Sequence, residues 1–314
     1  MADPDDIGVD GLDEYQEIDK LIDVAGDDII IAIMGPTGSG KSSFIGKVTG
    51  DVDVGVGHTL TSCTSEIKVT KCEVELANVI LVDTPGFDDT KKSDLEILEL
   101  ISGWLKENYK RKVFLSAILY FHRITDNRMA GTPLKNLRVF EKLCGDDAMA
   151  QVVLVTTMWD EVERDVGEQR LQELRTSYWK GMISRGSTTF AYENTPDSAR
   201  NFLKQVAEKS SERQHVLLQK EISELKKTLR ETAAGQELSS RLEQLADQRL
   251  QALRKLRAET RKSADLKTTE DLRKEYADLK AQLDETLNQV HALRLSGLKA
   301  WFIRTKKTFA SILR

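Results

Sequence analysis

The stretch IAIMGPTGSGKSSFIG, residues 31–46, places a glycine-rich turn between an apolar run and a segment with helical spacing. From Gly35 to Ser42 it matches the pattern G-x-x-x-x-G-K-S/T at every position, between the strand and the helix that this pattern requires. Glycines let backbone N–H groups turn toward phosphate oxygens, and the N-terminus of the helix adds a favourable dipole. The predicted phosphate-binding residues are Gly35, Pro36, Thr37, Gly38, Ser39, Gly40, Lys41, Ser42 and Ser43.

A second motif, VILVDTPGF at residues 79–87, predicts the other half of the same site. Lys41 can reach the β- and γ-phosphates of a nucleotide, and the hydroxyl of Ser42 can bind Mg²⁺. Asp83 ends an apolar strand and is predicted to hold the same metal ion. The N–H of Gly86 is predicted to contact the γ-phosphate, so that its loop responds to the presence of that group.

The threonine-rich stretch between these motifs, GVGHTLTSCTSE, should supply one more Mg²⁺ ligand in the triphosphate state. Thr61 is the predicted ligand, with Thr59 and Thr64 as alternatives.

A third motif, VVLVTTMWDE at residues 152–161, is a predicted strand followed by Thr-x-x-Asp. The order of the motifs resembles that of translation-factor-related P-loop GTPases, and GHTLTSCTSE and VDTPGFDDT resemble their septin-like and immunity-associated branch. The combination of LYFHRITDNRM with VTTMWDE resembles fungal G-domain proteins of that branch. The resemblance covers residues 29 to about 200.

This resemblance implies that Asp160 accepts hydrogen bonds from the N1–H and amino groups of guanine. Thr156 or Thr157 would fix the loop, and Asn194 would lie in a further base-side loop. Trp159 stands where a lysine usually packs on the base, and it either stacks on the base or belongs to the core or an interface. The predicted base-binding residues are Thr157, Trp159, Asp160 and Asn194.

The resemblance also bears on catalysis. Ras-like enzymes position the attacking water with a glutamine just after Asp-x-x-Gly, and this chain has Phe87 there. We therefore expect slow hydrolysis, or hydrolysis helped by another group such as His58 or by a partner chain; no catalytic residue is assigned. Arg123 and Arg128 either reach a neighbouring site across a dimer or pair with nearby acidic residues.

Alternating apolar strands and amphipathic helices predict a doubly wound, mostly parallel α/β fold followed by an all-α extension. Strands are expected at 29–34, 66–75, 79–82, 113–121, 152–155 and 188–192, with Asn78 in a turn, and helices at 42–49, 93–109, 134–143 and 166–183. The predicted segments are an acidic mobile leader at 1–27, a G domain at 28–200, a helical or coiled-coil region at 201–295 and a basic amphipathic helix at 296–314.

Leucine spacing in the helical region predicts either a hairpin packed on itself or a coiled coil between chains. One 4-3-4 seam runs through Leu218, Ile222, Leu225 and Leu229, a second begins at Leu272, and a looser stripe lies between them. Gly235 and the polar stretch 262–271 are the predicted breaks.

Composition narrows the classes of partner. The chain of 314 residues carries a net charge of −5, which argues against nucleic acid as a ligand. Three cysteines without metal-ligand spacing, no signal peptide and no apolar run near ~20 residues indicate a cytoplasmic protein with reduced thiols.

Residues 296–314 hold five basic residues and no acidic one, opposite an aromatic-bearing stripe. This helix docks on the protein, makes peripheral membrane contact or binds a partner.

The function predicted from these motifs is a GTP·Mg²⁺-dependent switch or self-assembling scaffold with slow hydrolysis of GTP to GDP. A homo-oligomer or a coiled-coil partner is expected. The alternatives are an ATP-using P-loop enzyme and a nucleotide-bound structural protein without turnover.

Overall fold

The computed structural model describes residues 28–50, 67–74, 77–89, 92–127, 129, 131–209, 216–260 and 266–293. The predictions for the leader at 1–27, for Thr61 and its alternatives, for Arg128 and for the helix at 296–314 lie outside these residues.

Six strands form one sheet in the order β2-β3-β1-β4-β5-β6. β2 pairs antiparallel with β3, and the other neighbours are parallel. The central strands are apolar on both faces because helices cover both sides, as parallel sheets require. This confirms the predicted doubly wound, mostly parallel fold with a helical extension. The strands are β1 (Ile29–Met34), β2 (Lys68–Val74), β3 (Ala77–Asp83), β4 (Ala117–Arg123), β5 (Val152–Thr157) and β6 (Thr188–Ala191).

The helices divide between the two faces of the sheet. Phe44 of α1 packs edge-on against Phe121 and Phe202 on one face, together with α6. Helices α2, α3 and α5 contribute to the larger core on the other face. Ser93 begins α2 with a capping box shared with Glu96. The bounds are α1 (Lys41–Thr49), α2 (Asp94–Lys110), α3 (Thr132–Cys144), α4 (Arg164–Glu173), α5 (Lys180–Ser184) and α6 (Pro196–Lys209).

Two local predictions were wrong. The helix predicted at 166–183 is broken into α4, a π-helical turn at Leu174–Tyr178 and α5. In that wide turn the N–H of Trp179 donates to the carbonyl of Leu174 at 2.7 Å, and the indole becomes fully buried in the core. Asn78 lies inside β3, opposite Glu73, and not in the preceding turn.

The seam through Leu218 and Leu229 is not one continuous helix, which corrects the predicted heptad pattern. Helix α7 (Leu217–Ser223) ends early, and Leu225 is 56% exposed. The carboxylate of Glu221 explains the turn, because it accepts from the backbone N–H of Ala233 at 2.9 Å. The hydrogen bond of Glu221 therefore ends the helix at a point where the apolar spacing alone would continue it.

Two long helices, α8 (Ala233–Thr260) and α9 (Leu266–Leu293), pack on each other within the chain. We call this hairpin the helical arm. Gly235 lies in the first turn of α8 and does not break the helix. Glycine is needed at this position because a Cβ there would meet the carbonyl oxygen of Leu229 at 2.0 Å. Leu238 and Leu242 belong to the same core cluster as α2 and α3, so the base of the arm is buried against the sheet domain. No helix in the described ranges is both long and apolar enough to cross a membrane.

Candidate nucleotide-binding site

The predicted phosphate-binding residues from Gly35 to Ser43 form the loop between β1 and α1 and the first turn of α1, at the carboxyl edge of the sheet. Gly35 has φ of 140°, and a Cβ there would stand 2.4 Å from the carbonyl oxygen of Phe121. Only glycine fits so close to the neighbouring strand. Gly40 begins α1 in the left-handed conformation, with φ of 89°. The loop therefore curls around the N-terminus of a helix, where backbone N–H groups favour an anion.

Lys41 is the first residue of α1 and its side chain lies inside the loop. It is 6% exposed, and its Nζ donates to the carbonyl oxygens of Gly35 and Pro36, both at 3.0 Å. Burial lowers the pKa of Lys41 to about 8, and the nearby carboxylate of Asp83 acts in the opposite direction. The amine of Lys41 therefore lies in the phosphate loop, where phosphate oxygens can replace the two carbonyl oxygens as its hydrogen-bond acceptors.

The two described Mg²⁺ ligands of the prediction are in contact. The hydroxyl of Ser42 donates to Oδ2 of Asp83 at 3.2 Å, and Asp83 is 2% exposed at the end of β3. A hydroxyl and a carboxylate are oxygen donors of the kind that Mg²⁺ prefers when it also binds phosphate. The pair therefore fits the metal ion, which would neutralise phosphate charge when bound.

The loop after Asp83 touches the phosphate loop directly. The N–H of Thr37 donates to the carbonyl oxygen of Phe87 at 3.1 Å, and a Cβ on Gly86 would stand 2.5 Å from that same nitrogen. Thr84 holds the loop from behind, since its hydroxyl donates to the carbonyl of Ile33 at 2.9 Å. Phe87 is 1% exposed in the core, so it presents no polar group to the site. We call residues 83–89 the sensing loop.

Both threonines of the third motif fix its loop. The hydroxyl of Thr157 donates to the carbonyl of Ser39 at 3.0 Å, and its side chain lies 3.7 Å from the Cβ position of Gly40. Thr156 accepts a hydrogen bond from Nε1 of Trp159 at 3.0 Å. Thr157 therefore joins the base-side loop to the phosphate loop.

Trp159 packs inside the domain. It is 8% exposed, and its ring edge lies 2.8 Å from the Cβ position of Gly167, which explains a glycine within α4. The guanidinium of Arg164 lies 5.0 Å from the ring centre. This packing favours the interior alternative for Trp159 over stacking on a base.

Asp160 and Asn194 converge on the same end of the sheet. Asp160 is exposed in the short turn after β5. Asn194 has φ of 57°, and its Oδ1 accepts from the hydroxyl of Ser43 at 3.5 Å. Tyr192 is 2% exposed, and burial, with a smaller effect of Asp160, raises its pKa to about 12. The three motifs and the loop of Asn194 thus meet at one site.

Sequence reasoning missed Tyr192, whose ring packs edge-on against Phe44 at 5.2 Å and supports the loop of Asn194 from below. The only signal was an aromatic residue directly before that loop. Of the two alternatives for Arg123, pairing within the chain is the one observed, with Asp126 at 3.0 Å.

Comparison with known proteins supports this assembly of motifs. Residues 30–157 match the family model described as 50S ribosome-binding GTPase. This match supports a P-loop GTPase G domain in that part of the chain. A search of curated proteins finds no match. The septin-like and immunity-associated branch is not confirmed, and that finer assignment stays a prediction.

Solved structures with a similar G domain include Toc33 from Arabidopsis thaliana in complex with Mg²⁺ and GMPPNP, at 17% identity and a TM-score of 0.45 over 60% of this chain and 88% of that one. Era in complex with MgGDPNP and a segment of 16S ribosomal RNA matches at 16% identity and a TM-score of 0.42, over 58% of this chain and 56% of that one.

Proposed function

We propose that this protein is a guanine-nucleotide switch or self-assembling scaffold that binds GTP with Mg²⁺ and hydrolyses it slowly. The observation that carries this proposal is the direct contact between the phosphate loop and the sensing loop, through Thr37 and Phe87. A γ-phosphate bound beside Thr37 must displace or reorganise that contact, because Gly86 lies against the same backbone nitrogen. The loop would therefore differ between the triphosphate and diphosphate states.

The residues of the phosphate side have distinct tasks in this proposal. Backbone N–H groups of the phosphate loop bind the β-phosphate, and the ammonium of Lys41 leaves the carbonyls of Gly35 and Pro36 to bind phosphate oxygens. Ser42 and Asp83 would hold Mg²⁺, directly or through water. Phe87 leaves the attacking water without the usual side-chain acceptor, which is the reason for slow turnover.

The base side of the site supports guanine over adenine. Asp160 offers two acceptors at an exposed position three residues after Thr157, which contacts the phosphate loop, and guanine presents a matching pair of donors. Adenine presents no such pair, so the carboxylate would lose its hydrogen bonds to water without replacement. That loss is worth about 1.5–3 kcal/mol, or roughly tenfold to a hundredfold in affinity.

Two measurements test the proposal against its alternatives. Nucleotide released from the purified protein is identified by chromatography, and calorimetry compares GTP, GDP and ATP with Mg²⁺. We expect guanine nucleotides to bind at least about tenfold more tightly than ATP. Equal or tighter binding of ATP would replace the proposal with an ATP-using enzyme.

The rate of hydrolysis gives a further prediction. Dilute protein should turn over GTP no faster than roughly 10⁻³ s⁻¹, as unassisted Ras does, because Phe87 is buried and apolar. If self-association completes the site, turnover per chain should rise with protein concentration in a phosphate-release assay. A fast rate that is independent of concentration would contradict this prediction, whereas no turnover at all would indicate the structural alternative.

The pH dependence of binding should report on Lys41. In nucleotide-free protein its pKa lies at about 8, and bound phosphate favours the charged form. As pH rises through 8, more of the free protein carries neutral Lys41, so binding must take up a proton and affinity should fall by up to about tenfold per pH unit. Calorimetry at pH 7, 8 and 9 in buffers of different ionisation enthalpy measures both effects. Constant affinity without proton uptake would contradict the prediction.

A further inference from the structure

An arginine of the helical arm ends beside the sensing loop. Nη1 of Arg241, on α8, lies 2.6 Å from Oδ2 of Asp94 and donates to Oδ1 of Asn136, also at 2.6 Å. The side chains of Arg241 and Asp94 are 11% and 12% exposed, and Asn136 is 1% exposed. Such a shielded ion pair is sensitive to the loss of either partner, because the remaining charge stays buried.

The second oxygen of Asp94 holds the sensing loop. Oδ1 of Asp94 accepts from the backbone N–H of Asp88 at 2.9 Å. Asp88 follows Gly86 by two residues and has φ of 66°, a left-handed conformation that aspartate tolerates better than most residues with a side chain and that the bond to Asp94 stabilises. One carboxylate therefore binds the sensing loop with one oxygen and the arm with the other.

We propose that Arg241 is a positioning residue that couples the helical arm to the sensing loop, so that docking of the arm and binding of the γ-phosphate influence each other. This inference rests on the proposed function, because it assumes that the loop contacts a guanine nucleotide. Arg241 orients Asp94, Asp94 fixes Asp88, and Asp88 fixes the approach of Gly86 to the phosphate loop. Since coupling between two sites is reciprocal, the nucleotide must then also affect the arm.

The coupling is tested by the affinities for GMPPNP and GDP of the full-length protein. Arg241→Ala should weaken GMPPNP binding by about fivefold or more, the lower end of typical couplings, and change GDP binding less than about twofold. Only the triphosphate uses the Gly86 contact. Asp94→Asn keeps an oxygen for the Asp88 N–H but removes the charge that faces Arg241, so it should produce a smaller loss of the same kind. Arg241→Lys should restore part of the GMPPNP affinity.

Arg254→Ala is the matched control, since Arg254 is an exposed arginine on the same helix. It should leave both affinities unchanged. Equal weakening of GMPPNP and GDP by Arg241→Ala would show a merely structural role and overturn the inference, as would unchanged affinities. If the wild-type protein binds no guanine nucleotide, the proposed function itself fails, and that result is distinct from the other two.

A second measurement needs no variant. Hydrogen exchange of the wild-type protein should show greater protection in the first half of α8 with GMPPNP than with GDP, because the coupling is reciprocal. Equal protection in the two states would overturn the inference even if Arg241→Ala proved too unstable to study.

Discussion

Replacing Lys41 with alanine should weaken binding of GTP and GDP by about a hundredfold or more, the largest effect expected from any single substitution in the site. The ammonium is a buried charged donor inside the phosphate loop, and hydrogen bonds to charged groups contribute up to about 3 kcal/mol each. Loss of one such bond corresponds to roughly a hundredfold in affinity, and Lys41 can reach two phosphates. Calorimetry with each nucleotide and Mg²⁺ measures the loss.

Lys47→Ala is the matched control for this substitution. Lys47 carries the same charge on the same helix, about 1.7 turns further from the loop. It should change nucleotide affinity little, and both variants should keep the melting temperature of the nucleotide-free protein within a few degrees. If Lys41→Ala bound GTP as tightly as the wild-type protein, the loop from Gly35 to Ser42 would not be a phosphate site.

The conformation of the candidate phosphate loop could be predicted from sequence because its determinants are local. One short stretch contains Gly35, Lys41 and the flanking strand and helix. Its backbone conformation follows from the residue types at these positions. The alternation of strands and helices likewise determines the sheet, since each parallel connection needs a covering helix.

The parts that could not be predicted depend on contacts between distant residues. Thr157 reaches the carbonyl of Ser39 over 118 positions, and Arg241 reaches Asn136 over 105. No local pattern indicates either partner. Trp159 remained ambiguous for the same reason, because its burial depends on the space beside Gly167.

The heptad-like seam that begins at Leu218 is a different case, because its clear apolar spacing predicted a continuous helix that the chain does not form. Its spacing satisfies a helix, but the carboxylate of Glu221 binds the start of α8, and Thr228 forms a capping box with Glu231. In both cases a carboxylate, and not a helical carbonyl, accepts from the backbone N–H group. The helix therefore ends and the chain turns. Apolar periodicity alone does not account for such competition.

Asp160→Asn should reverse the base preference of the protein from guanine to xanthine. In the proposed function the carboxylate of Asp160 would accept from the N1–H and amino groups of guanine, whereas xanthine has an oxygen in place of the amino group. Asparagine offers one acceptor and one donor, which match the N1–H and that oxygen. The loop itself should survive the change, because Thr157 and Trp159 hold it through bonds that do not involve Asp160.

We expect GTP affinity to fall by about a hundredfold and the affinity for xanthosine triphosphate to rise by a comparable factor, since each mismatch at a charged acceptor costs about 1.5–3 kcal/mol. Competition calorimetry with both nucleotides measures the ratio. Glu161→Gln removes a neighbouring exposed carboxylate and should leave the preference for guanine intact. If Asp160→Asn lowered the affinity for both triphosphates equally, Asp160 would support the loop rather than read the base. If it changed neither, the base would be bound elsewhere.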